Sequence, residues 1–239
     1  MTWSIVAHDP ATGAFTVAVA TCAFAVGASC PHLRAGVGAV STQSFTNRYL
    51  GPAILDAMER GLSAEAAVRS AIAGDDGRHI RQVHAVDRHG RAAAWTGANC
   101  VDWAGERAAS GVSVAGNMLA GPAVLDATLA AWDAGTGAAL PERLMAAMEA
   151  GEAAGGDRRG RQSAAMVMTT TEDFPDLDLR VDDHAAPLTE LRRLLAIWRE
   201  HRAPFLHRNP SKANPAGFHD IDAIEAPWIE RGLALRFRR

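Results

Sequence analysis

Lysine is almost missing from this chain. Of 24 lysine and arginine residues in 239 positions, only Lys212 is a lysine, so lysine is removed as a catalytic base from nearly the whole sequence. Cysteine is scarce as well. Cys22, Cys30 and Cys100 are an odd number with no C-x-x-C spacing, which points to reduced, mostly buried thiols rather than a disulfide framework. The net charge of −3 leaves no global attraction to nucleic acid or to an anionic membrane. The longest apolar stretch, residues 14–28, is broken by Thr16, Thr21, Gly27 and Ser29 and is too short to span a bilayer. The N-terminus lacks the basic region of a targeting signal, so a cytoplasmic protein is expected.

Other chemistries are missing too. No Gly-rich loop of the P-loop or dinucleotide type occurs, so no cofactor is expected. The segment 111–115, GVSVA, approaches G-x-S-x-G but lacks the final glycine. His79, His84 and His89 are five apart on a strand and its flanks, a spacing that does not assemble a metal site; charged or capping roles are expected for them. What remains is ordinary for a globular protein, 48% hydrophobic and 21% charged, and the length suits one large core.

The chain opens MTWSIVAHDPATG, with a hydroxyl residue directly behind the initiator methionine. Removal of Met1 would leave Thr2 carrying both a hydroxyl and a free α-amine. Such an amine has a pKa of roughly 7.7–8, against about 10.4 for lysine, so on the order of a tenth of it is unprotonated near neutral pH. Thr2 could then supply nucleophile and general base together. The structural alternative is a β-branched bystander at a strand end.

Residues 2–8 and 14–21 read as a hairpin around the turn formers 9–13. A pairing of Ala7 near Phe15 is expected. It would set bulky Trp3, Ile5, Phe15, Val17 and Val19 on one face and small residues on the other. Further strands are expected at 37–43, 82–86, 91–95, 112–115, 163–169 and 178–181. Helices are expected at 52–60, 63–73 with Ser63 as N-cap, 122–134, 141–153 and 188–202. This order suggests two sheets packed between helical layers. The tail, with prolines at 204, 210, 215 and 227, is expected to be irregular and to wrap a neighbouring copy or the domain surface.

The blocks MTWSIVAHDPATGAFTVAVAT, VGAVSTQSF, GNMLAGP and EAGEAAGGDRRGRQSAA resemble the bacterial family catalogued as domain of unknown function 1028, over roughly residues 2–200. That family is grouped with the N-terminal nucleophile (Ntn) hydrolases. The resemblance implies an α+β fold, a four-layer αββα sandwich with two antiparallel sheets between helical layers. Residues 1–202 would form this domain and 203–239 an irregular C-terminal extension. It also implies cleavage of an amide bond in a small molecule or peptide, with Thr2 at the nucleophile's position. The chain departs from proteasome-like members in having no lysine where their basic residue lies. The alternative is a non-catalytic ligand-binding or assembly protein that keeps the fold. A homo-oligomer is expected, with no nucleic acid, membrane or metal partner.

Asn117, between a strand and a helix, could donate to an oxyanion or could be a turn residue satisfying local backbone. Gln43 could be a cleft donor or a structural hydrogen-bonding residue. In GGDRRGRQ, the forks of Arg158, Arg159 and Arg161 suit a substrate carboxylate and Asp157 could hold a new ammonium group; a solvated or subunit-contacting loop is the other reading. Gln162 and Ser163 open the next strand and are expected to reach Thr2. Cys22 sits beside the expected cleft, as a redox group or as a small buried residue.

Overall fold

A computed structural model of the chain describes residues 2–232. Met1, whose removal is expected, and residues 233–239 of the expected extension lie outside them. The first hairpin pairs β1 (Thr2–Asp9) with β2 (Ala14–Thr21). The Asp9 carboxylate builds its turn: Oδ1 accepts from the Ala11 N–H at 3.0 Å and Oδ2 from the Thr12 hydroxyl at 2.7 Å. Gly13 completes the reversal at φ 75°, a conformation that costs glycine little.

Residues 10–13 therefore separate Asp9 from its partner Ala14, and His8, not Ala7, faces Phe15. This overturns the expected register by one residue, and a one-residue slip exchanges the faces. Val17 and Val19 share a face with Ser4 and Val6, while Trp3 and Ile5 stand opposite Ala20 and Ala18. The alanines of β2 make room for the large side chains of β1, so bulk is balanced on each face rather than segregated.

The remaining strands are β3 (Pro31–Arg34), β4 (Gly38–Ser44), β5 (Arg81–Asp87), β6 (Ala92–Thr96), β7 (Gly105–Ala109), β8 (Val112–Asn117), β9 (Ser163–Thr169) and β10 (Leu177–Val181). They complete a six-stranded sheet ordered β10-β9-β2-β1-β8-β7 and a four-stranded sheet ordered β3-β4-β5-β6. Every pairing in both is antiparallel. Val6, Phe15 and Val17 of the larger sheet pack against Ala39 and Val86 of the smaller.

Helices α1 (Leu50–Glu59) and α2 (Ala64–Ala73) bury Ile54, Leu55, Val68 and Ile72 against Val40 and Val83 of the four-stranded sheet. Ser63 caps α2 as expected, accepting from the Ala66 N–H. Helices α3 (Ala123–Ala134) and α4 (Leu140–Ala153) pack on the other sheet. There Gly151 lets α4 approach closely, because a Cβ at that position would stand 2.9 Å from Trp3 Nε1.

The chain divides into two compact units, Met1–Ile197 and Trp198–Arg239, with the division inside α5 (Pro187–His201). The stretch expected to be irregular includes one α-helix among its described residues. This is α6 (Ile221–Glu230), whose N-cap Asp220 accepts from the Ala223 N–H at 3.1 Å and which carries Pro227 internally. No helix among the described residues is long and apolar enough to cross a membrane.

One ion pair ties the loop between α2 and β5 to the strand ends. Asp75 Oδ2 accepts from Arg81 Nε and Asn47 Nδ2, both at 2.9 Å, and Oδ1 accepts from the Gly77 N–H at 2.8 Å. The Arg81 hydrogen bond leads in holding the Asp75 carboxyl down at about 2. A depressed carboxylate contributes stability above its unfolded pKa and loses it as pH falls. Asp75→Asn should therefore cost about 2 kcal/mol at pH 7. In urea titrations, the gap from wild type should close as pH drops from about 4 towards 2; a gap independent of pH would contradict this assignment.

Candidate functional site

Antiparallel order brings the start of β1 and the ends of β2 and β8 to one rim. Thr2 pairs directly with Asn117 of β8, and Trp3 with Ala20 of β2, so Thr2 lies between Thr21 and Asn117. Its Oγ1 is 3.3 Å from the Thr21 hydroxyl. All three residues are buried. Exposed aromatic side chains follow two strands: Phe24 after β2 at 70% exposure, and Phe45 and Tyr49 after β4 of the other sheet at 62% and 86%.

Behind the rim, the space between the sheets is polar. Asn117 Nδ2 donates to Gln82 Oε1 at 2.9 Å, and Gln43 Nε2 donates to the same oxygen at 2.9 Å. Backbone carbonyls fix which end of each amide is nitrogen. Gln43 Nε2 also donates to Ala115 O (3.1 Å), and Gln82 Nε2 donates to Gly116 O (2.9 Å). Gln43 Oε1 must then accept, and it does so from the Ser4 hydroxyl at 2.8 Å.

With its proton spent there, Ser4 accepts from His84 Nε2 at 2.7 Å, leaving Nδ1 to accept from the Ser113 hydroxyl at 3.0 Å. Burial pushes His84 down to about 3, so the ring is neutral. This corrects the expectation of a charged or capping role for His84; His79 and His89 are exposed. Gln43 is thus committed within the sheets. Gln82, which the sequence reading did not single out, is the joint of the chain. In QVHAV it alternates with apolar residues, a pattern that reads as one solvated face, yet both faces of β5 are buried.

The glycine- and arginine-rich loop closes over the rim from α4. Asp157 Oδ2 accepts from the Cys22 N–H at 2.6 Å and from Arg159 Nη2 at 3.3 Å, while Oδ1 accepts from the Arg159 N–H at 2.8 Å. The carboxylate is held by the scaffold rather than left open for a ligand. The loop is also joined by backbone to both flanks of Thr2: Gln162 N–H donates to Thr21 O at 2.9 Å, and Leu119 bridges Asp157.

Gln162 turns its amide to Asp183 at 3.2 Å. Ser163 donates to Ala23 O at 2.6 Å and accepts from the Val26 N–H at 3.1 Å. Neither side chain is hydrogen-bonded to the Thr2 hydroxyl. Cys22 is half-buried, its thiol 3.8 Å from Arg159 O, whereas burial pushes the Cys30 thiol up to about 12. The sequence-derived residues therefore fall into three groups: Thr2 and Asn117 at the rim, Gln43 behind it, and Asp157, Arg159, Cys22, Gln162 and Ser163 holding the covering loop. Among the described residues, no three His, Cys, Asp or Glu side chains are placed to hold a metal.

A family model described as a family of unknown function (DUF1028) matches residues 2–191. No functionally curated protein matches the chain. Among solved structures, protein SPO2555 from Silicibacter pomeroyi, labelled with the same family model, aligns with a TM-score of 0.85 and 32% identity over 92% of this chain and 96% of its own. Anbu (ancestral beta-subunit) from Yersinia bercovieri aligns with a TM-score of 0.38 and 10% identity over 87% of this chain and 98% of its own, too distant to bear on the fold. From the matched family model and the SPO2555 structure, the chain belongs to the family of unknown function DUF1028.

Proposed function

We propose that this protein is an N-terminal-threonine amide hydrolase of the Ntn type, built on the αββα sandwich of that superfamily, and that removal of Met1 activates it. The observation that carries the reading is the register of Thr2 with Asn117 at the rim of two packed antiparallel sheets. It sets a hydroxyl and a carboxamide on adjacent strand ends. The one lysine, Lys212, lies outside the Met1–Ile197 unit, so the base falls to the amine of Thr2 itself.

In the proposed cycle, the neutral α-amine of Thr2 takes the Oγ1 proton as the oxygen attacks the substrate carbonyl. The tetrahedral oxyanion accepts a hydrogen bond from Asn117. One N–H of that amide is spent on Gln82 Oε1, which fixes its plane, and the second remains for the oxyanion. The ammonium of Thr2 then protonates the leaving amine. Water, deprotonated by the same amine, releases the acyl group and restores the hydroxyl.

Intact mass of active protein should correspond to a chain beginning at Thr2; retained methionine would block the amine and sink the mechanism. Thr2→Ala loses one 3.3 Å hydrogen bond. It should cost about 1 kcal/mol or less of stability yet abolish turnover on a panel of chromogenic amides, with Thr2→Ser partly active. Equal rates for Thr2→Ala and wild type would remove Thr2 from the chemistry.

Asn117→Ala should lower kcat by roughly 10²–10³ with little change in KM, because the charge it meets develops only in the transition state. Gln82 Oε1 would keep its bond from Gln43, so the accompanying loss of stability should stay near 1 kcal/mol. A lower unfolding midpoint with unchanged kcat would assign Asn117 to the fold alone.

A further inference from the structure

Next to the Thr2 rim, on the side of the larger sheet that carries Trp3, lies a cavity of about 600 Å³. Its volume falls in the range that takes a small organic ligand. Trp3 and Asp157 form part of its wall, and Glu152, Arg158 and Arg161 supply the other charges.

These charges do not cancel uniformly. Asp157 is bound to Arg159 and to two backbone N–H groups. Arg161 pairs with Glu152, Nε to Oε1 at 3.2 Å. That leaves Arg158, which is exposed and has no carboxylate within ion-pair distance among the described residues. Its backbone is not free to wander. Its N–H donates to Met118 O at 3.4 Å, one residue beyond the Asn117 that faces Thr2, and its neighbour Asp157 is anchored beneath it.

Glycines shape the mouth. Gly155 and Gly160 sit at φ 119° and 115°, where a side chain would be strained, and a Cβ at Gly160 would meet nothing within 4 Å. The result is a cavity walled in part by Trp3, with one guanidinium that has no carboxylate partner among the described residues; it lies at the end of β1, on the face opposite the one that carries the Thr2 side chain.

We propose that this cavity binds the free carboxylate of the substrate through Arg158, so that the ligand class is a small amide bearing a carboxylate, such as an N-acyl amino acid. A guanidinium fork matches a carboxylate in two parallel hydrogen bonds, a geometry an ammonium cannot reproduce. Arg158 takes the role, and Arg159 is the arginine that holds Asp157. The assignment of this ligand as substrate rests on the hydrolase reading; the binding site does not.

The test is therefore made on binding, with the full-length Thr2→Ala protein. The probes are the N-acetylated common amino acids as free acids and as their carboxamides, read by ligand-observed NMR and calorimetry. At least one free acid should bind ten-fold or more tightly than its carboxamide. Arg158→Gln should collapse that gap and Arg158→Lys should keep part of it, both with melting midpoints near that of the parent. Equal affinity for acid and carboxamide, a gap that survives Arg158→Gln, or no binding by any acid would overturn the proposal. A carboxylate preference that depends on Arg158, in a wild-type protein that hydrolyses none of these amides, would keep the binding site and reject the hydrolase reading.

Discussion

The arrangement at the rim depends on one buried oxygen, Gln82 Oε1, which accepts from an amide of its own sheet (Gln43) and from one of the facing sheet (Asn117). Two packed sheets ordinarily meet through apolar side chains, and an unpaired amide there would cost about 1–3 kcal/mol. Here the amides are oriented from outside the chain of side chains, by the carbonyls of Ala115 and Gly116 on β8. A shift of β8 by one residue would strand both glutamines at once. The polar seam therefore specifies register, and so fixes which residue of β8 stands opposite Thr2.

The covering loop is held to the same frame. Asp157, buried against the backbone of Cys22, ties the loop to the end of β2, and the Leu119–Asp157 bridge ties it to the end of β8. These are the strands on either side of β1. The loop thus follows the position of Thr2 instead of moving independently of it. In the proposed chemistry, this holds the backbone that carries the arginines in register with Thr2.

Much of the architecture was legible in the sequence because local signals coincided with it. The strand at 163–169 and the Ser63 cap emerge as read, and the helix pairs fall within two residues of their expected ends. The register of the first hairpin was not legible, since it turns on whether Asp9 belongs to the turn or to the strand, and the Asp9 side chain decides that by bonding both Ala11 and Thr12. PHLR and GERAA carry no alternation, so β3 and β7 were invisible before their partners were known. Helix α6 was hidden by its own proline. At the site, Thr2 could be named from its place behind Met1, Asn117 from its strand end and Asp157 from its glycine- and arginine-rich loop. Gln82 could not, because a buried polar residue and a solvated one look alike in a strand of alternating character.

The approach of α4 to β1 constrains how this sequence can drift. A Cβ at Gly151 would lie 2.3 Å from Thr128 Oγ1 and 2.9 Å from Trp3 Nε1. Positions 3, 128 and 151 therefore share one fixed volume. In a relative of this protein, a larger residue at 151 requires a smaller one at 3 or 128, and the three positions should be compared as a set rather than one at a time. Because position 3 adjoins Thr2 and walls the cavity, a substitution at 151 on α4 would change the shape of the site by displacing Trp3.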